Sequence, residues 1–410
     1  MTGRVQALLP GEDRSTGWRL RSSRHAERGC GQRSLGMLAV TLFLVAGCGG
    51  ATVAPLASQG DLLGGIAMQV AWTVDHTETW SSALLRDDDG GGVAAAAGVV
   101  VSTLPHGVVE ARVTTNGALL WDKDLQGAIA APPRLAEGIV YVASLDGRLV
   151  ALRMASGDEV WQAQLGSPLT NPPVITGAFV LILDRDQRLH ALRREDGSVL
   201  WRTSAVARAD IALRTFAEAL VVDEGVVAGF TNGTLQLIDF NGQVRWSRSL
   251  AGEGRRFRDV LGQPLRTPGG LVIAATQTGG LFGLDPTSGD VVWRKDITLV
   301  SAPVLNDAGL LVAQDDAGAL HWLDAGTGDT VATLPLEGEP FGALQRFGDL
   351  LVLSTFHRGL YLLSARQPWT FAEQRIATGF TPSVAIDEGT LFARSRGGRL
   401  FAFTLWERSR

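Results

Sequence analysis

The chain has 410 residues, 45% hydrophobic and 19% charged, a composition that excludes disordered and collagen-like proteins. Its 50 glycines, without long amphipathic helical patterns, favour many short strands joined by tight turns. The net charge of −5 argues against nucleic acid as a partner, because nucleic-acid recognition requires concentrated positive charge.

The N-terminal region contains a candidate export signal. The apolar run MLAVTLFLVA, residues 37–46, is too short for a stable membrane span and has the length of a signal-peptide core. The string LVAGC that ends at Cys48 resembles the lipobox of bacterial lipoproteins, in which the cysteine is lipidated and becomes the mature N-terminus. The alternative is an ordinary signal peptide followed by a chance cysteine.

The lipobox divides the chain into three expected parts. Residues 1–47 are an N-terminal extension plus signal peptide that is removed, 48–63 are the lipidated cysteine and a flexible tether, and 64–410 are the folded domain. For a lipoprotein under enterobacterial-type sorting, glycine at position 49 in place of aspartate implies transfer to the outer membrane, facing the periplasm. Loss of residues 1–47 removes seven arginines and three acidic residues and shifts the net charge from −5 to about −9.

A repeat covers the rest of the chain. A glycine followed four residues later by tryptophan occurs five times, at spacings of 40, 40, 45 and 47 residues, and these tryptophans are Trp121, Trp161, Trp201, Trp246 and Trp293. The frame extends through Gly328 with Ala332, Gly359 with the region near Trp369, and Gly398 with Trp406, which makes eight units.

Each unit predicts four short antiparallel strands. In one unit, GIVYVAS (138–144), RLVALR (148–153) and EVWQAQL (159–165) are strands separated by Asp-Gly and Ser-Gly turns, and a proline-containing stretch begins the next innermost strand. This period predicts an all-β fold, an eight-bladed β-propeller. The strand-like MQVAWTVD, residues 68–75, is predicted to close the last blade as its outer strand.

The repeat resembles the tryptophan-docking motif of quinoprotein-like propellers, A-x-D-x-x-T-G-x-x-x-W, as in GLDPTSGDVVW from Gly283. The resemblance implies that these tryptophans pack between adjacent blades rather than clamp a cofactor. It does not decide the function, since the repeat serves both enzymes and scaffolds.

The enzyme alternative is a quinone-dependent dehydrogenase, which would need a calcium site and commonly a vicinal cysteine pair. No cysteine follows Cys48, so the domain contains neither a cysteine pair nor a cysteine-based zinc site. The acidic strings at 86–91, 184–187 and 314–318 fall where solvated turns are expected, and His190 and His321 fall inside strand patterns. We therefore predict no catalytic residue, metal or cofactor.

Residues 252–297 resemble the corresponding blade of the BamB family, lipoproteins of the outer-membrane β-barrel assembly machine. The family order of an arginine, an Asp-Val-Asp string and a proline is matched by Arg256, Asp259, Val260 and Pro264, with Leu261 in place of the second aspartate. The family also tends to carry a non-aromatic docking residue and a tryptophan on the preceding strand. Ala332, with Trp322 filling the space from one strand inward, has this arrangement.

The resemblance also implies a partner-binding surface. The family pattern Leu-x-Leu-Arg, which together with the aspartate string binds periplasmic domains of BamA, is matched by Ile211, Leu213 and Arg214. Arg214 and Asp259 are expected to pair across adjacent blades, and the nearby arginines at 255, 256 and 258 form a basic cluster. The alternative is that Ile211 and Leu213 only pack beneath a long connection.

The resemblance therefore implies a non-catalytic scaffold, held on the periplasmic face of the outer membrane by a lipid anchor only, that binds a BamA-type protein. Exposed blade edges are a further candidate site for unfolded β-barrel substrates by β-augmentation. Two alternatives remain, a propeller lipoprotein with another envelope partner and a quinone-dependent dehydrogenase.

Overall fold

A computed structural model describes residues 66–76, 91–204, 218–250, 259–336, 342–376 and 379–407. The expected signal peptide, Cys48 and tether lie outside these residues. Among the described residues, no helix is long and apolar enough to span a membrane.

The described residues form eight antiparallel sheets of four strands each. From the innermost strand outward, the first four blades consist of these strands: blade 1, β2 (Gly92–Ala96), β3 (Val99–Thr103), β4 (Val108–Val113) and β5 (Leu119–Asp124); blade 2, β6 (Arg134–Ala136), β7 (Ile139–Ala143), β8 (Arg148–Arg153) and β9 (Glu159–Gln164); blade 3, β10 (Val174–Ile175), β11 (Phe179–Leu183), β12 (Arg188–Arg193) and β13 (Val199–Ser204); blade 4, β14 (Leu220–Val222), β15 (Gly225–Gly229), β16 (Thr234–Ile238) and β17 (Val244–Ser249).

The other four blades follow the same order: blade 5, β18 (Leu265–Arg266), β19 (Val272–Thr276), β20 (Gly280–Leu284) and β21 (Val291–Lys295); blade 6, β22 (Val304–Leu305), β23 (Leu310–Gln314), β24 (Leu320–Asp324) and β25 (Thr330–Leu334); blade 7, β26 (Gly342–Phe347), β27 (Leu350–Thr355), β28 (Gly359–Ser364) and β29 (Thr370–Arg375); blade 8, β30 (Phe380–Asp387), β31 (Thr390–Ser395), β32 (Arg399–Glu407) and β1 (Ile66–Asp75). This is the predicted eight-bladed propeller.

The core consists of hydrophobic clusters between neighbouring blades. The middle residues of the second and third strands are mostly apolar and buried, because both faces of these strands meet a neighbouring sheet. The innermost strands of adjacent blades also contact one another, as β2 does with β6 and β30. The prediction that the N-terminal strand closes the last blade is confirmed, since β1 pairs antiparallel with β32 along its length.

Tryptophan side chains link consecutive blades. Each of six indole N–H groups on an outermost strand donates to a backbone carbonyl in the turn between the third and outermost strands of the next blade, at 2.8–3.2 Å. The pairs are Trp72 with Thr114, Trp121 with Met154, Trp161 with Arg194, Trp201 with Phe240, Trp246 with Pro286, and Trp293 with Ala325.

The glycine of the repeat receives the tryptophan of the preceding blade. At Gly197, for example, φ is +71° and a Cβ atom would lie 2.5 Å from Cε3 of Trp161. Only glycine combines this left-handed backbone with room for the ring. Each Gly-x-x-x-Trp motif therefore contributes to two blade interfaces. Its glycine contacts the tryptophan of the preceding blade, and its own tryptophan contacts the following blade.

Trp72 is a docking residue that the sequence frame missed. It lies opposite Ala402, as Trp161 lies opposite Ala151, and its ring packs on Gly117 of blade 1. The glycine that should precede it is absent because β1 enters blade 8 from the N-terminal side. The sequence feature that could have identified Trp72 as a docking residue is the strand pattern, in which Val70 and Ala71 directly precede the tryptophan.

The repeat frame was wrong in detail for the last two units. Gly359 and Gly398 lie at turns between the second and third strands, not before an outermost strand. Trp369 and Trp406 do not occupy the docking position and are 47% and 41% exposed. The number of blades is unaffected, because each unit still contributes one sheet.

A β-bulge adjoins the docking position in every blade. Five of the bulged residues on the outermost strands are exposed aliphatics, namely Leu120, Val160, Leu200, Val292 and Val331. Bulges disturb the regular edge that another strand would need for pairing.

Candidate partner-binding site

Two long connections leave the same end of neighbouring blades. One runs from β13 in blade 3 to β14 in blade 4, and the other from β17 in blade 4 to β18 in blade 5. Each follows an outermost strand, so both emerge on one face of the ring. The sequence places Leu213 on the first connection and Asp259 on the second, as the BamB-like pattern requires.

The three predicted residues of the first connection, Ile211, Leu213 and Arg214, lie outside the described residues, as does the arginine cluster at 255, 256 and 258. The structure does describe both ends of each connection. Of the four predicted partner-binding residues, only Asp259 lies within the described part of the chain.

The C-terminal end of the first connection is held by blade 2 and by the second connection. Arg134 on β6 forms an ion pair with Glu218, which joins blade 2 to blade 4 past blade 3. Gln263 of the second connection donates from Nε2 to the carbonyl of Ala219 at 2.7 Å. Burial raises the pKa of Glu218, although the charge of Arg134 opposes this effect.

The second connection is strapped across blades 4 and 5 by backbone hydrogen bonds. Val260 N donates to Phe230 O at 3.3 Å, Leu261 N donates to Ala275 O at 2.8 Å, and Gln277 N donates to the carbonyl of Asp259 at 3.3 Å. The strap lies so close to β15 that a Cβ at Gly229 would come within 2.3 Å of Val260 Cγ1. A rigid segment therefore supports this part of the surface.

Asp259 is completely buried, with 0% of its surface exposed. A partner therefore cannot reach its carboxylate without displacing the residues around it. Leu261, which stands where the BamB pattern has a second aspartate, is 4% exposed and packs with Leu281 and Leu311 between blades 5 and 6. Where the BamB pattern has a charged aspartate, this chain therefore has a leucine in the hydrophobic core.

Two carboxylate–histidine pairs recur at the same repeat position. His190 Nε2 lies 2.9 Å from Asp184 Oδ2 in blade 3, and His321 Nε2 lies 2.7 Å from Asp315 Oδ2 in blade 6. The expectation of solvated turns was wrong for Asp184, which is fully buried. Both aspartates also accept a hydrogen bond from the backbone of their own turn, so they shape the loop as well as orienting the histidine.

An open cleft of about 550 Å³ lies between blades 2 and 3. It is lined by Tyr141, Trp161 and Arg194, and the guanidinium of Arg194 pairs with Glu137. The Tyr141 hydroxyl and the Gly177 carbonyl also lie 3.3 Å from this guanidinium. These contacts fix the turn whose carbonyl receives Trp161, and they give the cleft a structural role.

No group of three or more histidine, cysteine, aspartate or glutamate side chains that could hold a metal ion occurs within the described ranges. The acidic string at 86–90 is not among them.

Comparison with solved structures shows the same fold in proteins of different function. BamB from Moraxella catarrhalis has a TM-score of 0.68 at 18% identity, covering 82% of this chain and 100% of that chain. The computationally designed protein Ika8 has a TM-score of 0.63 at 16% identity, covering 78% and 97%. Quinohemoprotein alcohol dehydrogenase from Comamonas testosteroni has a TM-score of 0.62 at 15% identity, covering 84% and 77%.

The amino-acid sequence shows which of these families the chain belongs to. No curated protein matches the chain. A family model described as "Outer membrane protein assembly factor BamB" matches residues 69–151 and 105–334, which together span more than half of the chain. The chain therefore belongs to the BamB family of outer membrane protein assembly factors.

Proposed function

We propose that this propeller is a non-catalytic scaffold of outer-membrane β-barrel assembly, anchored by a lipid at Cys48, that binds periplasmic domains of a BamA-type protein through the connection 205–217. Membership of the BamB family supports a role in β-barrel assembly. One structural observation supports the connection 205–217 as the binding site. The end of this connection is tied to blade 2 through Glu218 and to the second connection through Ala219.

The chemistry of the connection suits a compact binding site. Ile211 and Leu213 supply apolar contact area, and Arg214 supplies a planar cation that can bind a carboxylate through two parallel hydrogen bonds. Holding the ends of the segment lowers the conformational entropy lost when a partner binds.

Asp259 has a positioning role in this proposal. Because its side chain is buried, it acts on the partner through the shape of the neighbouring connections rather than by direct contact. A buried carboxylate requires compensating polar or charged groups, and the family resemblance suggests Arg214 as its cation. The guanidinium has five N–H donors, so a hydrogen bond to Asp259 leaves others for the partner.

The outer edges of the blades are a weaker candidate for binding unfolded barrel strands. The bulge beside each docking position interrupts the edge, and the longest outermost strand, β1, has 10 residues with a bulge between Val70 and Trp72. The proposal therefore rests on the connection and not on β-augmentation.

The experiment is affinity capture of the lipidated protein from gently solubilised envelopes, with the captured proteins identified by mass spectrometry. The test variant is Leu213→Ala with Arg214→Ala. The matched control is Val244→Ala with Arg245→Ala, an adjacent aliphatic–arginine pair on β17, where Val244 is 44% exposed and the Arg245 side chain 61% exposed.

Capture of a BamA-type protein by the wild type and the control, with loss in the test variant, would support both the function and the site. Capture by all three proteins would leave the function standing and remove the site. Capture by none would favour a propeller lipoprotein with a different envelope partner, and calcium-dependent dye reduction would reveal a quinone enzyme.

A further inference from the structure

Two tryptophans differ from all others in the described part of the chain. Seven described tryptophans donate their indole N–H to a carbonyl of the next blade. Trp369 and Trp406 lie instead at the surface, 47% and 41% exposed. Exposure of so much aromatic surface is unfavourable in water unless another surface covers it.

Both tryptophans flank the point where the chain enters the propeller. Trp406 on β32 is paired with Ala67, the second residue of β1. Trp369 directly precedes β29, which contacts β1. Residues beside the two tryptophans, among them Ile66 and Phe371, pack against one hydrophobic cluster between blades 7 and 8.

The length of the preceding segment limits how far this corner can lie from a lipid on Cys48. Residues 49–65 separate Cys48 from β1, and these 17 residues span about 60 Å when fully extended. Among the blades, blade 8 is the one that this segment joins, at the start of β1.

Tryptophan is the side chain that best suits the boundary between lipid and water, because its ring is largely apolar and its N–H can still bond to headgroups or water. Arg366 lies in the same turn as Trp369, and its side chain is 64% exposed beside Asp349. The expected mature charge of about −9 disfavours broad electrostatic adhesion to anionic lipid. The contact would therefore depend on the two rings.

We propose that Trp369 and Trp406 insert into the lipid headgroup layer and seat the end of blades 7 and 8 on the membrane. This inference rests on the lipid anchor of the proposed function. It also orients the ring: outermost strands begin at the face that carries Trp369 and end at the opposite face, where the connection 205–217 leaves blade 3. Blade 3 is four blades away from blade 7, so the connection would face away from the membrane.

The test measures quenching of tryptophan fluorescence by brominated lipid. The full chain is purified from membranes, acylation of Cys48 is determined by mass spectrometry, and the protein is reconstituted into phosphatidylcholine vesicles with or without bromine on the upper acyl chain. The test variant is Trp369→Phe with Trp406→Phe, and the control is Trp201→Phe, on the far side of the ring.

We expect quenching in the wild type and the control, little quenching in the test variant, and no loss of wild-type quenching at high salt. Absence of wild-type quenching, or equal quenching in the test variant, would overturn the proposal and leave a protein partner or a second copy as the cover. If Cys48 carries no lipid, the anchor has failed independently. The same comparison is then made with the full chain carrying Cys48→Ser and a hexahistidine tag after Gly49, on nickel-chelating vesicles.

Discussion

Trp322 lies directly opposite Ala332 in blade 6, the reverse of the order in blades 1 to 3, where an alanine on the third strand faces a tryptophan on the outermost strand. The indole of Trp322 is 1% exposed and donates to the carbonyl of Ala365 in blade 7 at 3.2 Å. Ala365 directly follows β28, as Ala325 directly follows β24. In blade 6 the tryptophan therefore lies on the third strand and not on the outermost strand. Its indole still donates to the carbonyl that directly follows the third strand of the next blade.

The next blade gives a physical reason for this exchange. In blade 6, Gly328 lies two residues before the outermost strand and receives the ring of Trp293. In blade 7, the residue two positions before the outermost strand β29 is Pro368. A tryptophan at position 332 would meet the proline ring. From position 322 the indole reaches blade 7 at the carbonyl of Ala365 instead.

We expect Trp322→Ala to destabilise the protein by about 3–5 kcal/mol, because it leaves a large cavity. Ala332→Trp should cost about 1–3 kcal/mol through overpacking. The double variant should recover part of the loss, and adding Pro368→Gly should recover more. Urea unfolding of all four variants gives the coupling energy. Additive effects in the double variant would mean that the two positions do not share one space.

The same reasoning explains the boundary between blades 7 and 8, where Ala372 holds the docking position. Blade 8 has no turn between its third and outermost strands, since β32 and β1 come from opposite ends of the chain. There is consequently no glycine to receive a tryptophan. Three phenylalanines of blade 8, Phe380, Phe401 and Phe403, pack instead in one hydrophobic cluster with Ala372, and their ring centroids are 5.6–6.2 Å apart.

The periodic part of the fold could be predicted from the sequence because glycine and tryptophan mark the same two positions in five consecutive blades. At the closure of the ring the closing strand β1 was predicted but the docking residues were not, since Trp72 docks without a preceding glycine and Trp406 follows Gly398 without docking. The burial of Asp259 was also beyond the sequence, because it depends on backbone bonds from the strap to Phe230 and Ala275. These contacts join residues that no local pattern relates.

Two glycine-to-alanine variants can separate the steric role of the motif glycine, which leaves room for a tryptophan ring, from the effect of its left-handed backbone. Gly197→Ala and Gly166→Ala both place a Cβ at positive φ, +71° and +84°, but only the first meets a tryptophan ring. Gly166→Ala should cost about 1–2 kcal/mol from the left-handed conformation alone. Gly197→Ala should cost about 1–3 kcal/mol more, through displacement of Trp161. Equal urea midpoints would show that the ring does not press on the glycine.

The closure between blades 8 and 1 should depend on pH. Glu110 on β4 lies 2.8 Å from His76, which follows β1, and 2.8 Å from Arg112. Burial alone would raise the pKa of Glu110, but the interactions with His76 and Arg112 outweigh it and hold the pKa below the usual 4.5. A depressed folded-state pKa stabilises the protein above about pH 4.5, and this contribution is lost as the pH falls through the folded-state value.

Glu110→Gln should therefore lower stability at pH 7 by about 3 kcal/mol or more, because it breaks a buried ion pair. It should also flatten the fall in stability below pH 4.5. Glu159→Gln is the control, since that carboxylate is 40% exposed and lies 3.8 Å from Lys123. Urea unfolding at several pH values measures both effects, and an unchanged acid profile in Glu110→Gln would assign the pH dependence to other carboxylates.

The ion pair between Arg134 and Glu218 should hold the connection 205–217 without contributing to the partner contact itself. Arg134→Ala leaves the half-buried carboxylate of Glu218 without this cation, so we expect the end of the connection to loosen and trypsin to cleave faster after Arg208 and Arg214. Glu218→Gln should have a smaller effect, since burial already raises the pKa of this carboxyl and glutamine keeps an oxygen that can accept from Arg134. Arg193→Ala, which removes an exposed pair with Asp196, is the control. If cleavage in Arg134→Ala matches this control, blade 2 does not restrain the connection, and the preorganisation that supports the binding site is lost with it.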